Sequence, residues 1–134
     1  MDRSVVFALV AMFGYGISAI LLKLATNDSN FVIVTLVSSA TMTVTALCFS
    51  LFYGGTITVK GLEFSIVAGL ISGIGFLAFI AAGNYGKVSI SSSLRGLSFV
   101  VTAILGLLLL HESLSLSKIF GIITAFIAIV LLSF

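Results

Sequence analysis

Across 134 residues the chain is 60% hydrophobic and 7% charged, with a mean hydropathy of +1.39. A soluble domain carries about a quarter charged residues, so this composition excludes a water-soluble globule and makes lipid the solvent for most of the surface. A net charge of +2 is too small to draw nucleic acid, and Cys48, the single cysteine, allows neither an internal disulfide nor a cysteine metal cluster.

A helix crosses the hydrocarbon core with about 20 apolar residues. Five stretches approach that length: residues 5–25, 31–53, 62–82, 88–110 and 119–134. The first lacks a small-residue cleavage site and is therefore a span, not a cleavable leader. The fifth is the shortest. The connectors TNDSN, GGTITVKG, GNYGK and HESLSLSK are short and polar or glycine-rich, as backbone outside lipid must be. None has room for a soluble domain, so residues 1–134 form one all-α membrane domain of five spans. Nine of the ten charged residues lie at chain ends, in connectors or at span edges, and only Arg95 sits well inside an apolar stretch.

The first span carries Tyr15 and Ser18 one turn apart, with Lys23 near its end. Without proline, helix contacts fall to small residues one turn apart: Gly14 with Ser18, Gly69 with Gly73, and Gly121 with Ala125. The second span contains Thr35, Ser38, Ser39, Thr41, Thr43 and Thr45, spread around the helix; their hydroxyls are expected to bond back to their own backbone. Cys48 reads as a small packing residue of the same helix. At the end of the third span Asn84 and Tyr85 stand where a cavity mouth would be, and Tyr85 also suits an interfacial aromatic.

In the fourth span Ser91, Arg95, Ser98 and Thr102 recur at spacings of four, three and four, which puts them on one helical stripe. Arg95 is seven residues from Val88, about 10 Å along the helix. Its stem either snorkels to the near interface or bonds a neighbouring helix, or its guanidinium lines a solute cavity together with the hydroxyls. No Asp or Glu lies near the middle of a span, which disfavours proton exchange through a central carboxylate. A buried guanidinium suits a carboxylate or phosphate instead. His111 beside Glu112 forms a polar junction before the last span. No phosphate loop, nucleophile elbow or metal motif appears, so neither enzyme chemistry nor a cofactor is expected.

Five crossings put the termini on opposite sides of the bilayer. The basic residues then divide as Arg3, Lys60 and Lys118 against Lys23 and Lys87, with Arg95 as a sixth near the second group. Lysine and arginine asymmetry sets orientation. So even a division permits insertion both ways up, the condition for an antiparallel homodimer.

The segment MFGYGISAILLKLA, with Gly14 or Gly16 and Lys23, resembles the opening helix of EamA-type proteins of the drug/metabolite transporter superfamily. The stretch from GNYGKVSISSSLRG to FGIITAFIAIVLL resembles the last two helices of the same repeat. It has a small-residue run at 89–93, an aliphatic run at 100–110, Glu112, a polar connector at 113–117 and Gly121. Two features depart from the family pattern. Phe99 stands where many relatives have a proline, and the length is that of one five-helix repeat, whereas relatives commonly have two of opposite orientation. The resemblance implies transport of a small polar metabolite through a multi-pass protein of the cell membrane. Folds of this kind place the solute at the interface of inverted repeats, so a second copy, or a similar five-helix partner, would complete the site. It also implies a cavity lined by Tyr15, Ser18, Ser91, Arg95, Ser98 and Thr102. Two alternatives remain: an exporter of organic cations like the small multidrug resistance proteins, which rely on a first-helix glutamate absent here, and a non-transporting membrane subunit paired with another protein. A flippase of lipid head groups is a further possibility.

Overall fold

The computed structural model describes residues 2–109 and 115–133 and is helical almost throughout. Six helices follow in chain order: α1 (Arg3–Asp28), α2 (Phe31–Tyr53), α3 (Val59–Tyr85), α4 (Val88–Gly96), α5 (Ser98–Leu109) and α6 (Leu116–Ser133). Arg3–Asp28, Phe31–Tyr53, Val59–Tyr85 and Val88–Gly106 are each long and apolar enough to cross a bilayer, and Ile119–Leu132 is a shorter apolar helix. Residues 110–114, including His111, Glu112 and Ser113, lie outside the described residues.

Helix ends extend past the expected spans. α1 and α3 are 26 and 27 residues long, which at 1.5 Å per residue is about 40 Å, the thickness of a bilayer with its head groups. Helix therefore takes in TND of TNDSN, VKG of GGTITVKG and GNY of GNYGK. Polar side chains do not end a helix once it leaves hydrocarbon. Local bonds do. Asn30 Oδ1 accepts from the Val32 amide at 2.8 Å, starting α2. Gly54 closes α2 with φ at +61° and its amide on Ser50 O at 2.9 Å. That left-handed conformation suits glycine and carries a steric cost for other residues. Thr58 Oγ1 accepts from the Gly61 amide at 3.2 Å and caps α3.

The chain divides into two compact units, Met1–Tyr85 and Gly86–Phe134. In the first, α1 and α3 run parallel and α2 runs against both. Their packing is confined to one end. Ala19, Thr26, Val34, Ile80 and Gly83 are the buried residues there, whereas every residue from 2–17, 39–60 and 62–75 is exposed. Cys48 falls in this spread half of α2 and is exposed, not a packing residue. The hydroxyls of Thr35, Thr41, Thr43 and Thr45 each donate to the carbonyl one turn back at 2.7–3.0 Å, as expected for hydroxyls on a membrane helix.

In the second unit α4 packs on α6. At Gly96, where a Cβ would stand 3.5 Å from Ile129 Cδ1, the two helices approach closely. The expected fourth span is not one continuous helix. It breaks at Leu97, which has φ −62° and ψ −12° and donates its amide three residues back, to Leu94 O at 3.0 Å; Val100 does the same to Leu97 O at 3.0 Å. Such bonds define a tighter turn. Gly96 explains the break without proline: it lacks the side-chain contacts that would hold an α-helical turn, and glycine weakens a helix interior by about 1 kcal/mol relative to alanine.

Candidate functional site

The broken span gathers most of the polar groups singled out by spacing. Ser91 is buried, and its hydroxyl donates to Val88 O at 3.1 Å. Arg95 occupies the last turn of α4, where the negative end of the helix dipole favours a cation. Ser98 opens α5, and Thr102 donates to Ser98 O at 3.0 Å. Ser98 and Thr102 also face the same concavity, of about 710 Å³, together with Phe99, Ala103, Leu105, Gly106 and Leu109. Its lining comes from α5 alone and it is open on its outer side, so it is a shallow, mostly apolar groove along that helix with two hydroxyls in it.

The tight turn lies within the stripe and does not divide it. It advances about 120° per residue instead of about 100°, and an extra turn of about 20–40° over one or two residues leaves Ser91, Arg95, Ser98 and Thr102 within about 60° of one another around the helix. The α1 pair lies in the other unit. Ser18 donates to Tyr15 O at 3.0 Å and is half-buried, while Tyr15 is exposed.

Three residues with a structural part were not evident from spacing. Ser92 Oγ is buried without a hydrogen-bond partner among the described residues, although Ser91 and Ser93 on either side bond their own backbone. A buried hydroxyl left unmatched costs about 1–3 kcal/mol. Gly96 is the second, at the break and against Ile129. Lys23 is the third. Its ammonium turns inward and donates to Gly83 O at 2.7 Å and Asn84 O at 3.3 Å, at the end of α3. Those carbonyls belong to the last turn, which has no amides of its own to satisfy it. Asn84 thus contributes its backbone there, and Tyr85 packs edge-on against Phe31 with centroids 6.1 Å apart. The motif MFGYGISAILLKLA signalled Lys23 as a family feature, but nothing in its spacing named its acceptors.

At Gly14, Gly69, Gly73 and Gly121 an added Cβ would meet nothing within 4 Å. These open surfaces are on α1, α3 and α6.

Several long apolar helices, one of them broken beside an arginine and a set of hydroxyls, define a multi-pass membrane protein with the features of a solute carrier. The chain matches the EamA-like transporter family over residues 2–134 and belongs to that family. It is also 28% identical to the uncharacterized protein MJ1333.1 of Methanocaldococcus jannaschii, over 99% of this chain and 98% of the relative. No solved structure matches it.

Proposed function

We propose that this chain carries a small polar metabolite bearing a carboxylate or phosphate, by alternating access, as one half of an antiparallel pair. The observation that carries the reading is the break at Leu97, within a stretch apolar enough to span the bilayer and flanked by Arg95, Ser91, Ser98 and Thr102. Transporters with inverted repeats build solute sites at interrupted helices near the midplane, because a broken helix exposes backbone groups to the cavity instead of to lipid. Arg95 supplies the cation, and its planar fork suits a carboxylate or phosphate. Tyr15 and Ser18 of α1 are the polar pair that the first unit would offer a solute.

All residues of the chain act as one membrane domain in this reading, and the opposite wall comes from a second, inverted copy or a similar five-helix partner. The near-even division of basic residues and the open surfaces at Gly14, Gly69, Gly73 and Gly121 support that pairing. Proteoliposome uptake of a panel of labelled amino acids, dicarboxylates and phosphate esters tests the function. Arg95→Ala and Arg95→Lys should each lower uptake at least tenfold while leaving the protein folded; uptake at the parent rate in both would remove Arg95 from the site. Reporters fused to the C-terminus should signal from both sides of the membrane. A signal from one side only, with no companion protein, would rule out the inverted pair.

A further inference from the structure

In the first unit, the bonds that join α1 to α3 through Lys23 lie at one end. There, Lys23 of α1 donates to Gly83 O and Asn84 O of α3. Thr26, buried just beyond, donates to Lys23 O at 2.9 Å and fixes the backbone that carries the ammonium. Phe31 and Tyr85 close the same end from α2 and α3. Buried and half-buried residues follow suit: on α1 they run from 18–26, on α2 from 31–38, and on α3 from 76–84, apart from Gly61 beside its own cap. The remaining length, residues 3–17 of α1, has no buried position. At 1.5 Å per residue that is about 22 Å of helix. α1, α2 and α3 thus form a wedge, held at one end and parted at the other.

We propose that Lys23 is the latch of this wedge: it clamps α1 to the end of α3 and keeps that membrane face of the unit closed to water. The physical reason is local. Lipid gives no hydrophobic drive for one apolar helix to hold another, so association depends on packing and hydrogen bonds. Lys23 turns its ammonium between the helices of the closed end, whereas Asp28 at the end of α1 is exposed; the acceptors are carbonyls with no amide partners of their own in the helix. Parting α1 from α3 there strands an ammonium and two carbonyls; water must then donate to the carbonyls, and water or an anionic solute must accept from the ammonium. Opening of that face is therefore tied to solvation of Lys23. Calling the latch a gate rests on the transport reading; the latch itself does not, and the tests below read it without transport.

Thiol labelling on a Cys48→Ser background reports closure. Ile80→Cys places the thiol at a position 3% exposed in the closed end. A water-soluble maleimide should label it slowly in the parent and in Lys23→Arg, which keeps the donors, and at least tenfold faster in Lys23→Met. Native Cys48, labelled alone in the parted half, should change less than twofold. An unchanged rate at Ile80→Cys in Lys23→Met overturns the latch, and so does an equal rise at Cys48. Spin-label distances test the wedge with Lys23 intact, whether or not Lys23→Met folds. The exposed pair Leu24 and Ala82 should give one narrow distance and the exposed pair Phe7 and Phe64 a distribution at least twice as broad. Equal widths, or the reverse order, overturn the proposal. If the latch holds in both tests but no panel solute is taken up, the transport reading alone has failed.

Discussion

Gly96 offers the sharpest test of how the broken span is built. A methyl group added at this position would stand 3.5 Å from Ile129 Cδ1, an ordinary van der Waals distance. Gly96→Ala therefore fits without movement, adds one contact to α6, and removes the conformational freedom that glycine loses on folding, a gain of about 0.5–1 kcal/mol. Gly96→Leu is different. Its branch atoms reach more than a bond length beyond Cβ, into the volume of Ile129, and such overpacking costs about 1–3 kcal/mol. The two variants should thus differ by about 1.5–4 kcal/mol, with the parent between them. Unfolding in mixed micelles with rising dodecyl sulfate, followed by circular dichroism, measures the difference. Alanine also favours a continuous helix through Leu97, so Gly96→Ala should lose transport as it gains stability. A leucine variant as stable as the parent would refute the close approach of α4 and α6. An alanine variant more stable and fully active would refute a functional role for the break.

Other variants probe the packing on each side of the break. Ile80→Ala, at the most buried large residue in the closed end of the first unit, should cost about 1–3 kcal/mol. That is at or below the usual range for isoleucine-to-alanine changes in soluble cores, because lipid already surrounds the unfolded side chain with apolar contacts; the same micelle titration reads it. Ser92→Ala removes a buried hydroxyl without a partner among the described residues, so the unfolding midpoint should hold or rise by up to about 1 kcal/mol. A clear fall would show that the hydroxyl has a partner in the membrane.

Hydropathy made the helices legible, and residue chemistry did less for their ends. α2 was legible to the residue, because Asn30 caps its start and Gly54 ends it, both recognisable types. α1 and α3 ran past their expected ends because hydropathy measures the fit to hydrocarbon, while a helix continues into the head groups for as long as its backbone bonds close. The break at Leu97 escaped notice for another reason. Gly96 is one of 13 glycines in a chain whose membrane helices tolerate them, and only its approach to Ile129 sets it apart. Among the candidate site residues, periodicity put Ser91, Arg95, Ser98 and Thr102 on one stripe but gave no sign of the tight turn at Leu97 within it. Lys23 was visible as a charge at a span edge. Its acceptors are backbone carbonyls 60 and 61 residues away, and no side-chain pattern encodes those.

The parted half of the first unit has a further consequence. In water, residues such as Phe7, Val10, Phe13, Phe64, Leu70 and Ile71, with 65–76% of their surface bare, would be driven together. In lipid they are already solvated, and α1, α2 and α3 gain little from closing along their whole length. Specific polar bonds then decide where the helices meet, although each is worth only about 0.6–2 kcal/mol in a membrane. The same reasoning applies to the open glycines: Gly69 and Gly73 create a flat surface on α3 that lipid tails fill poorly and another helix backbone fills well. A unit of this kind is held by a few bonds at one end and has accessible backbone along the rest. Walls held in that way suit a member of a transporter family, whose solute must pass from one side of a bilayer to the other.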